Sequence, residues 1–165
     1  MNHVLGGGLS SRLFQKVREQ RGLAYNIFSE RAAYEDTGSL AVAVGTAPEH
    51  AAEVLRIVAG EFELLAAEGI TDRELAVAKG NLRAETLLSG EDSGARMSRI
   101  GSSMLLYREV RTVDEILARV EAVGRDEVRE VAARLAAAPK TLSVVGPFEA
   151  DDFDLPTLGL STPTS

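Results

Sequence analysis

Apolar residues recur at helical spacing along most of this chain, and they predict that helices form the larger part of the fold. Glycine, proline or polar runs separate the predicted helices from one another. One helix is expected to end near residue 5, and the others to cover roughly residues 12–20, 48–67, 72–88, 97–107, 113–120 and 125–138. Thr71 and Thr112 each precede a Glu by three residues, which is the pattern of a capping box at a helix start.

Two segments predict strands instead, Tyr25–Tyr34 and Ser39–Ala47, and the second of them alternates between larger and smaller residues with a period of two. The turn residues Glu35–Gly38 between them predict an antiparallel hairpin. The β-branched, apolar run Thr141–Val145 predicts a closing strand. The expected fold class is therefore α+β, with an antiparallel-rich sheet packed by helices. Three strands make a thin sheet for so many helices, so we expect a further strand to be missing or supplied by a partner.

The distribution of charge gives the chain no basic surface. The formal net charge is −7, and four acidic residues follow Lys140, the last basic residue. Aromatic residues make up 5% of the chain and Trp is absent. Nucleic-acid binding needs clustered cations or aromatic platforms, so it is not expected. No apolar run approaches the roughly 20 residues of a membrane span and no secretion signal is recognisable, so we expect a cytoplasmic location without membrane contact.

The residue types that carry most catalytic chemistry are sparse. The chain has no cysteine, and its two histidines, His3 and His50, lie far apart and outside any H-E-x-x-H or H-x-x-E-H pattern. No serine nucleophile stands in a strand–turn–helix setting, and no pair of carboxylates is singled out by spacing. We therefore expect neither a metal site nor a cofactor in this chain.

The glycine-rich break Gly6-Gly7-Gly8 ends the first helix, and Ser10 or Ser11 can cap the next one. Backbone N–H groups at such a place can hold an anion. However, no strand leads into this segment and no Lys-Ser or Lys-Thr pair follows it, as a P-loop requires. An anion- or nucleotide-binding domain is therefore the least supported interpretation of the function.

The most informative segment is residues 5–29. It combines the glycine-rich break with the helix start Ser11-Arg12-Leu13-Phe14 and with the run from Arg18 to Tyr25, Arg-Glu-Gln-Arg-Gly-Leu-Ala-Tyr. Here the chain resembles the C-terminal half of zinc metallopeptidases of the pitrilysin, insulin-degrading enzyme and mitochondrial processing peptidase family, and the processing-peptidase branch in particular. A weaker resemblance continues to about Gly146.

The resemblance implies two similar α/β halves that face each other around a closed chamber. The first half carries zinc on an inverted H-x-x-E-H motif, and the second half contributes an Arg and a Tyr that are seven residues apart. Those residues correspond to Arg18 and Tyr25, which are thus the expected catalytic and substrate-binding residues. This chain is then the substrate-binding half of a zinc-dependent metalloendopeptidase and is inactive alone. Its expected partners are the zinc-binding N-terminal half and a peptide substrate.

Arg18 and Tyr25 have the chemistry that such a role needs. Negative charge grows on the oxygen of a peptide carbonyl under attack, and a donor aimed at that oxygen is worth roughly 3–4 kcal/mol in comparable sites. A Tyr O–H suits this task, and the fork of an Arg can hold a neighbouring carbonyl. Taken without the resemblance, the residues favour a plainer interpretation, in which Tyr25 packs at a strand end and Arg18 is a surface residue.

The chain departs from the family pattern in two ways. It has no zinc motif, and it begins inside what the family shows as a helix, so we expect an N-terminally truncated domain that lacks its first strand. A fragment, a late translation start and a separate subunit all fit this expectation. An unpaired sheet edge would also offer a route to homodimers.

The chain divides into two parts on this view. Residues 1–146 form the non-zinc peptidase domain, and residues 147–165, acidic and then rich in Pro, Ser and Thr, form a tail that is expected to be flexible. The alternative function is a non-catalytic scaffold or partner subunit of a processing-peptidase-like complex.

Overall fold

The computed structural model describes residues 1–34, 36–149, 152–154 and 156–158. Glu35 of the predicted turn lies outside the described residues. Much of the predicted tail does so as well, namely residues 150, 151, 155 and 159–165. The flexibility of the tail stays a prediction.

The predicted hairpin is confirmed. Strand β1 covers Ala24–Ala33 and strand β2 covers Gly38–Thr46, one residue from the predicted bounds at each start. They pair antiparallel, with Ile27 opposite Val44, and they form a two-stranded sheet among the described residues. The alternation of β2 places its larger side chains, Leu40, Val42 and Val44, against the core, whereas Ala41 is exposed and Ala43 half-buried on the other face.

The helices also follow the predicted order. Their bounds are Asn2–Leu5 (α1), Ala51–Glu68 (α2), Asp72–Ser89 (α3), Ser93–Tyr107 (α4), Val113–Ala122 (α5) and Arg125–Ala137 (α6), with a π-helix at Phe14–Glu19 and 3₁₀ turns at Pro48–His50 and Pro156–Leu158. Both capping boxes form, since the side chains of Thr71 and Thr112 each accept from the backbone N–H of the Glu three residues later. No described helix is long and apolar enough to cross a membrane.

The core lies between the hairpin, the π-helix and the long helix α2. Each of these elements turns one apolar face inward, and α6 closes the core by packing along α2. The fully enclosed apolar side chains are Leu5, Leu13, Val17, Ile27, Val54 and Leu65. This packing holds the helix–strand corner between residues 17 and 27 against the core. The candidate site lies on that corner.

The predicted closing strand is wrong. Residues 141–145 form no strand and make no backbone hydrogen bond to β1 or β2, and the side chain of Val145 is 98% exposed. β-Branched residues suit a strand only where a neighbouring strand offers a free edge and a face to pack on. Strand composition alone was therefore not sufficient, because residues 141–145 pair with neither hairpin strand in the described part of the chain.

Helix α4 has the predicted apolar stripe but buries none of it. Met97, Ile100 and Met104 are exposed, and no residue of α4 is buried. Helical periodicity therefore predicted the helix correctly, while it could not say whether another element covers the apolar face.

Candidate functional site

The predicted helix of residues 12–20 is present, but most of it is a π-helix. Arg12 and Leu13 begin as α-helix, and Phe14–Glu19 continues with the wider π spacing, as in the bond from Gln20 N–H to the Gln15 carbonyl at 2.9 Å. Such wide turns are rare and occur often at functional sites. Here the turn places Arg18 beside Phe14, with the guanidinium carbon of Arg18 4.8 Å from the centre of the Phe14 ring.

A tight corner joins this helix to β1. Gly22 has a φ of +62°, in the left-handed region that favours glycine, and the backbone N–H of Leu23 donates back to the Val17 carbonyl at 2.9 Å. β1 therefore starts close to the C-terminal end of the helix that carries Arg18.

Tyr25 lies at an irregularity in the hairpin. Ala24 pairs with Thr46 and Asn26 pairs with Gly45, so Tyr25 has no partner residue on β2. The extra residue of a β-bulge breaks the alternation of side chains and re-aims them. Tyr25 and Asn26 both face solvent in consequence, and Tyr25 is 87% exposed.

The structure thus brings Arg18 and Tyr25 together on one exposed surface. The guanidinium carbon of Arg18 lies 5.9 Å from the centre of the Tyr25 ring, within cation–π range. Among the described residues neither the Arg18 guanidinium nor the Tyr25 hydroxyl makes a hydrogen bond or an ion pair. Both side chains therefore keep their donors free for an oxygen acceptor such as a carbonyl or a carboxylate.

The other end of the same helix is bound firmly to the body of the domain. Arg12 donates from Nε to Glu74 Oε1 at 2.6 Å and from Nη2 to Glu74 Oε2 at 2.9 Å, and Nη2 also reaches the Gly69 carbonyl at 3.1 Å. Lys16 pairs with Glu61, which is only 4% exposed. We name these four side chains, Arg12, Lys16, Glu61 and Glu74, the ionic clamp. It ties the helix to both α2 and α3.

The clamp changes the electrostatics of the Glu74 carboxylate. Hydrogen bonds from Arg12, assisted by those from Thr71, outweigh partial burial and lower the pKa of Glu74 to about 2. Glu74 also accepts from the backbone of Thr71 and so caps α3. A single carboxylate therefore fixes the start of α3 and the start of the helix that carries Arg18.

The glycine-rich break has a structural role in this arrangement. The Gly6 carbonyl accepts from the backbone N–H of Ser29 on β1 at 2.9 Å, and a Cβ on Gly6 would lie 2.7 Å from that nitrogen. The N–H groups of Gly6 and Gly7 both donate to the Asn2 carbonyl. Two of the three glycine amides are thus already used within the chain, and this speaks against the anion-binding interpretation.

The described residues do not fit a metal. They contain no group of three or more His, Asp or Glu side chains that could hold an ion. His3 lies 3.6 Å from the carboxylate of Glu85. The other histidine, His50, is far from His3 in the sequence. The surface around Arg18 and Tyr25 is an open face, since Tyr25 is 87% exposed, and a cavity of about 560 Å³ lies elsewhere, between α5 and α6.

Sequence reasoning missed one contact of this surface. Phe14 is an apolar residue of the predicted helix 12–20, for which burial would be expected, yet it is only half-buried and its ring contacts the guanidinium of Arg18. The four-residue spacing between Phe14 and Arg18 was a visible signal, because residues at that spacing share a helix face.

Comparisons with known proteins agree with the family resemblance of the sequence. A sequence model described as "Peptidase M16 inactive domain" matches residues 1–82. A protein of Streptomyces coelicolor named an uncharacterized zinc protease is 44% identical over 149 residues, 90% of this chain and 32% of the relative. One of Bacillus subtilis with the same description is 36% identical over 147 residues, 89% of this chain and 36% of the relative. The chain thus spans about a third of the length of these curated relatives.

Solved structures agree on the fold. The crystal structure of a conserved protein from Enterococcus faecalis matches with a TM-score of 0.70 at 29% identity, covering 81% of this chain and 31% of that one. The peptidase M16 inactive domain of Pseudomonas fluorescens matches with a TM-score of 0.72 at 23% identity, covering 81% and 32%. The α+β fold and the family resemblance stated from residues 5–29 are confirmed, since residues 1–82 match the inactive domain of the peptidase M16 family.

Proposed function

We propose that this chain is the substrate-binding half of a zinc-dependent metalloendopeptidase. Arg18 and Tyr25 would donate hydrogen bonds to the carbonyl oxygens of a bound peptide. The zinc would lie in another half, either elsewhere in a longer protein or on a separate chain. The relatives that are named zinc proteases support this division, since each is about three times as long as the part that this chain matches.

One observation carries the proposal: two unpaired donors of the right chemistry share an exposed surface. Arg18 and Tyr25 come from different elements, yet the corner at Gly22 and the bulge at Tyr25 place them side by side. A surface pair that served only stability would be expected to use its donors within the fold, as Arg12 does. The open face would then form one wall of a site that closes when the other half docks.

The roles of the two side chains follow from their donors. The Tyr25 hydroxyl offers one O–H to the oxygen on which charge develops when the peptide bond is attacked. Arg18 offers a planar fork that can hold the carbonyl of a neighbouring residue and so keep the peptide extended. Neither residue holds a metal or supplies the nucleophile, so this chain binds and polarises the substrate only.

A complementation assay tests the proposal. The two thirds of the Streptomyces coelicolor relative that this chain does not match would be expressed separately and mixed with this chain, and cleavage of internally quenched peptides would be measured. We expect cleavage only when both parts are present. Arg18→Ala and Tyr25→Phe should each lower turnover on the order of 10²-fold without changing the zinc content of the mixture.

Arg21→Ala is the matched control, because Arg21 is a nearby exposed arginine whose side chain is already paired with Glu53. It should leave turnover unchanged. Full activity of both the Arg18 and the Tyr25 variants would refute their assigned roles, and cleavage by this chain alone would refute the division into two halves. A stable, zinc-containing complex without any cleavage would favour the scaffold alternative instead.

A further inference from the structure

The position of Phe14 gives it a second task besides packing. Its side chain is half-buried, and its ring lies under the guanidinium of Arg18, with 4.8 Å between the guanidinium carbon and the ring centre. Tyr25 approaches the same guanidinium at 5.9 Å. Arg18 is thus held by two aromatic rings and, among the described residues, by no anion.

The way an arginine is held decides which of its donors remain available. A carboxylate binds the edge of the guanidinium and uses its N–H groups, as Glu74 uses Nε and Nη2 of Arg12. An aromatic ring instead contacts the flat face through its quadrupole. Since all five N–H donors lie in the plane of the guanidinium, a ring can fix the group while every donor stays free.

We propose that Phe14 is a positioning residue, which orients the guanidinium of Arg18 so that its free donors face the peptide. The functional part of this inference rests on the proposed role of Arg18. The four-residue spacing on the π-helix is what makes the contact, and the half-buried position of Phe14 restricts the movement of its ring. Without the ring, the long side chain of Arg18 would sample many rotamers in solvent.

The spectroscopic test uses this chain alone. In a sample with ¹⁵N-labelled arginine, the Nε–H resonance of Arg18 should be shifted upfield by the ring current, with Arg18→Lys supplying the assignment. Phe14→Leu should remove most of the shift and increase the mobility of the side chain, while Phe14→Tyr should keep both as in the parent. The Arg12 resonance is the internal control and should not move.

The outcome that overturns the proposal is an Arg18 resonance that is unchanged in Phe14→Leu. Because leucine is also apolar and the position is only half-buried, the variant should keep its thermal midpoint close to that of the parent. If Phe14→Leu fails to fold, Phe14→Met gives the same comparison with a flexible side chain that has no ring.

The complementation assay then separates this inference from the proposed function. Phe14→Leu should lower kcat roughly tenfold with little change in KM, and Phe14→Tyr should restore it. If Arg18→Ala lowers turnover but Phe14→Leu does not, the positioning role is refuted and the function of Arg18 stands. If neither variant changes turnover, the function proposed for Arg18 is refuted, whereas the resonance of Arg18 still decides whether Phe14 holds it.

Discussion

Residues 6–25 have an anchored side and an open side, and the two sides use the same residue types in opposite ways. On the anchored side, Gly6 packs closely against β1, and Arg12 donates hydrogen bonds to Glu74 and to a backbone carbonyl. On the open side, Gly8 has free space around it and Arg18 keeps all its donors free. One helix thus presents one arginine to the fold and another to solvent.

This difference shows how a small domain can hold an exposed cation in a fixed position. An exposed side chain on a mobile segment would point in no fixed direction, whereas the ionic clamp fixes the helix and leaves its far end uncommitted. The clamp should therefore determine stability, while the open residues should contribute little to it. Four predictions test this separation.

Arg12→Ala should have the largest effect on stability. It leaves Glu74 without its fork of donors, and it leaves Glu61, which is only 4% exposed, with one cation fewer. Removing one partner of a buried carboxylate costs about 3–4 kcal/mol. Urea unfolding followed by far-UV circular dichroism measures the change. Arg21→Ala, which breaks an exposed pair with Glu53, is the control and should cost under about 1 kcal/mol. Equal losses in the two variants would contradict the anchoring role of Arg12.

Gly6→Ala should have the second largest effect, about 2 kcal/mol. The new Cβ would lie 2.7 Å from the Ser29 backbone nitrogen, so either the strand or the loop must shift. Gly8→Ala is the matched control, because a Cβ there meets nothing within 4 Å. Losing backbone freedom in the unfolded state should then make that variant neutral or slightly more stable. Thermal melts of both proteins measure the contrast, and a destabilised Gly8 variant would contradict it.

The clamp should also weaken in acid. The pKa of Glu74 lies at about 2 in the folded chain, below its ordinary value of 4.5, so its contribution is complete above about pH 4.5 and is lost as the pH falls toward 2. We expect this contribution to be roughly 1.5 kcal/mol, since solvent reaches part of the pair. The gap in unfolding free energy between the parent and Glu74→Gln should shrink over this range. A gap that is independent of pH would show that the carboxylate charge does not matter.

Much of the fold could be predicted from the sequence because local patterns determine it. The hairpin, the long helices and both capping boxes follow from periodicity and from short-range hydrogen bonds. The prediction failed where an element depends on a distant neighbour. Residues 141–145 have strand composition but pair with neither β1 nor β2 in the described structure, and α4 has an apolar stripe that nothing described covers.

The candidate site was predictable only in part, for a related reason. The family resemblance pointed to Arg18 and Tyr25, and the chain indeed brings them together. Periodicity could not predict the π-helix or the bulge at Tyr25, because each is a departure from a regular pattern. The ionic clamp joins residues that are separated by 45 to 62 positions in the sequence. No short stretch of sequence therefore contains both partners of a pair.

Arg18→Ala should have the smallest effect on stability, within about 0.5 kcal/mol of the parent. Its side chain is exposed, makes no ion pair among the described residues, and gains only its contacts with the rings of Phe14 and Tyr25. Urea unfolding beside Arg12→Ala makes the comparison direct, because the two arginines share one helix. A loss of more than about 2 kcal/mol would mean that Arg18 is a structural residue. A small loss together with a large loss of turnover in the complementation assay is the result that only a binding role explains.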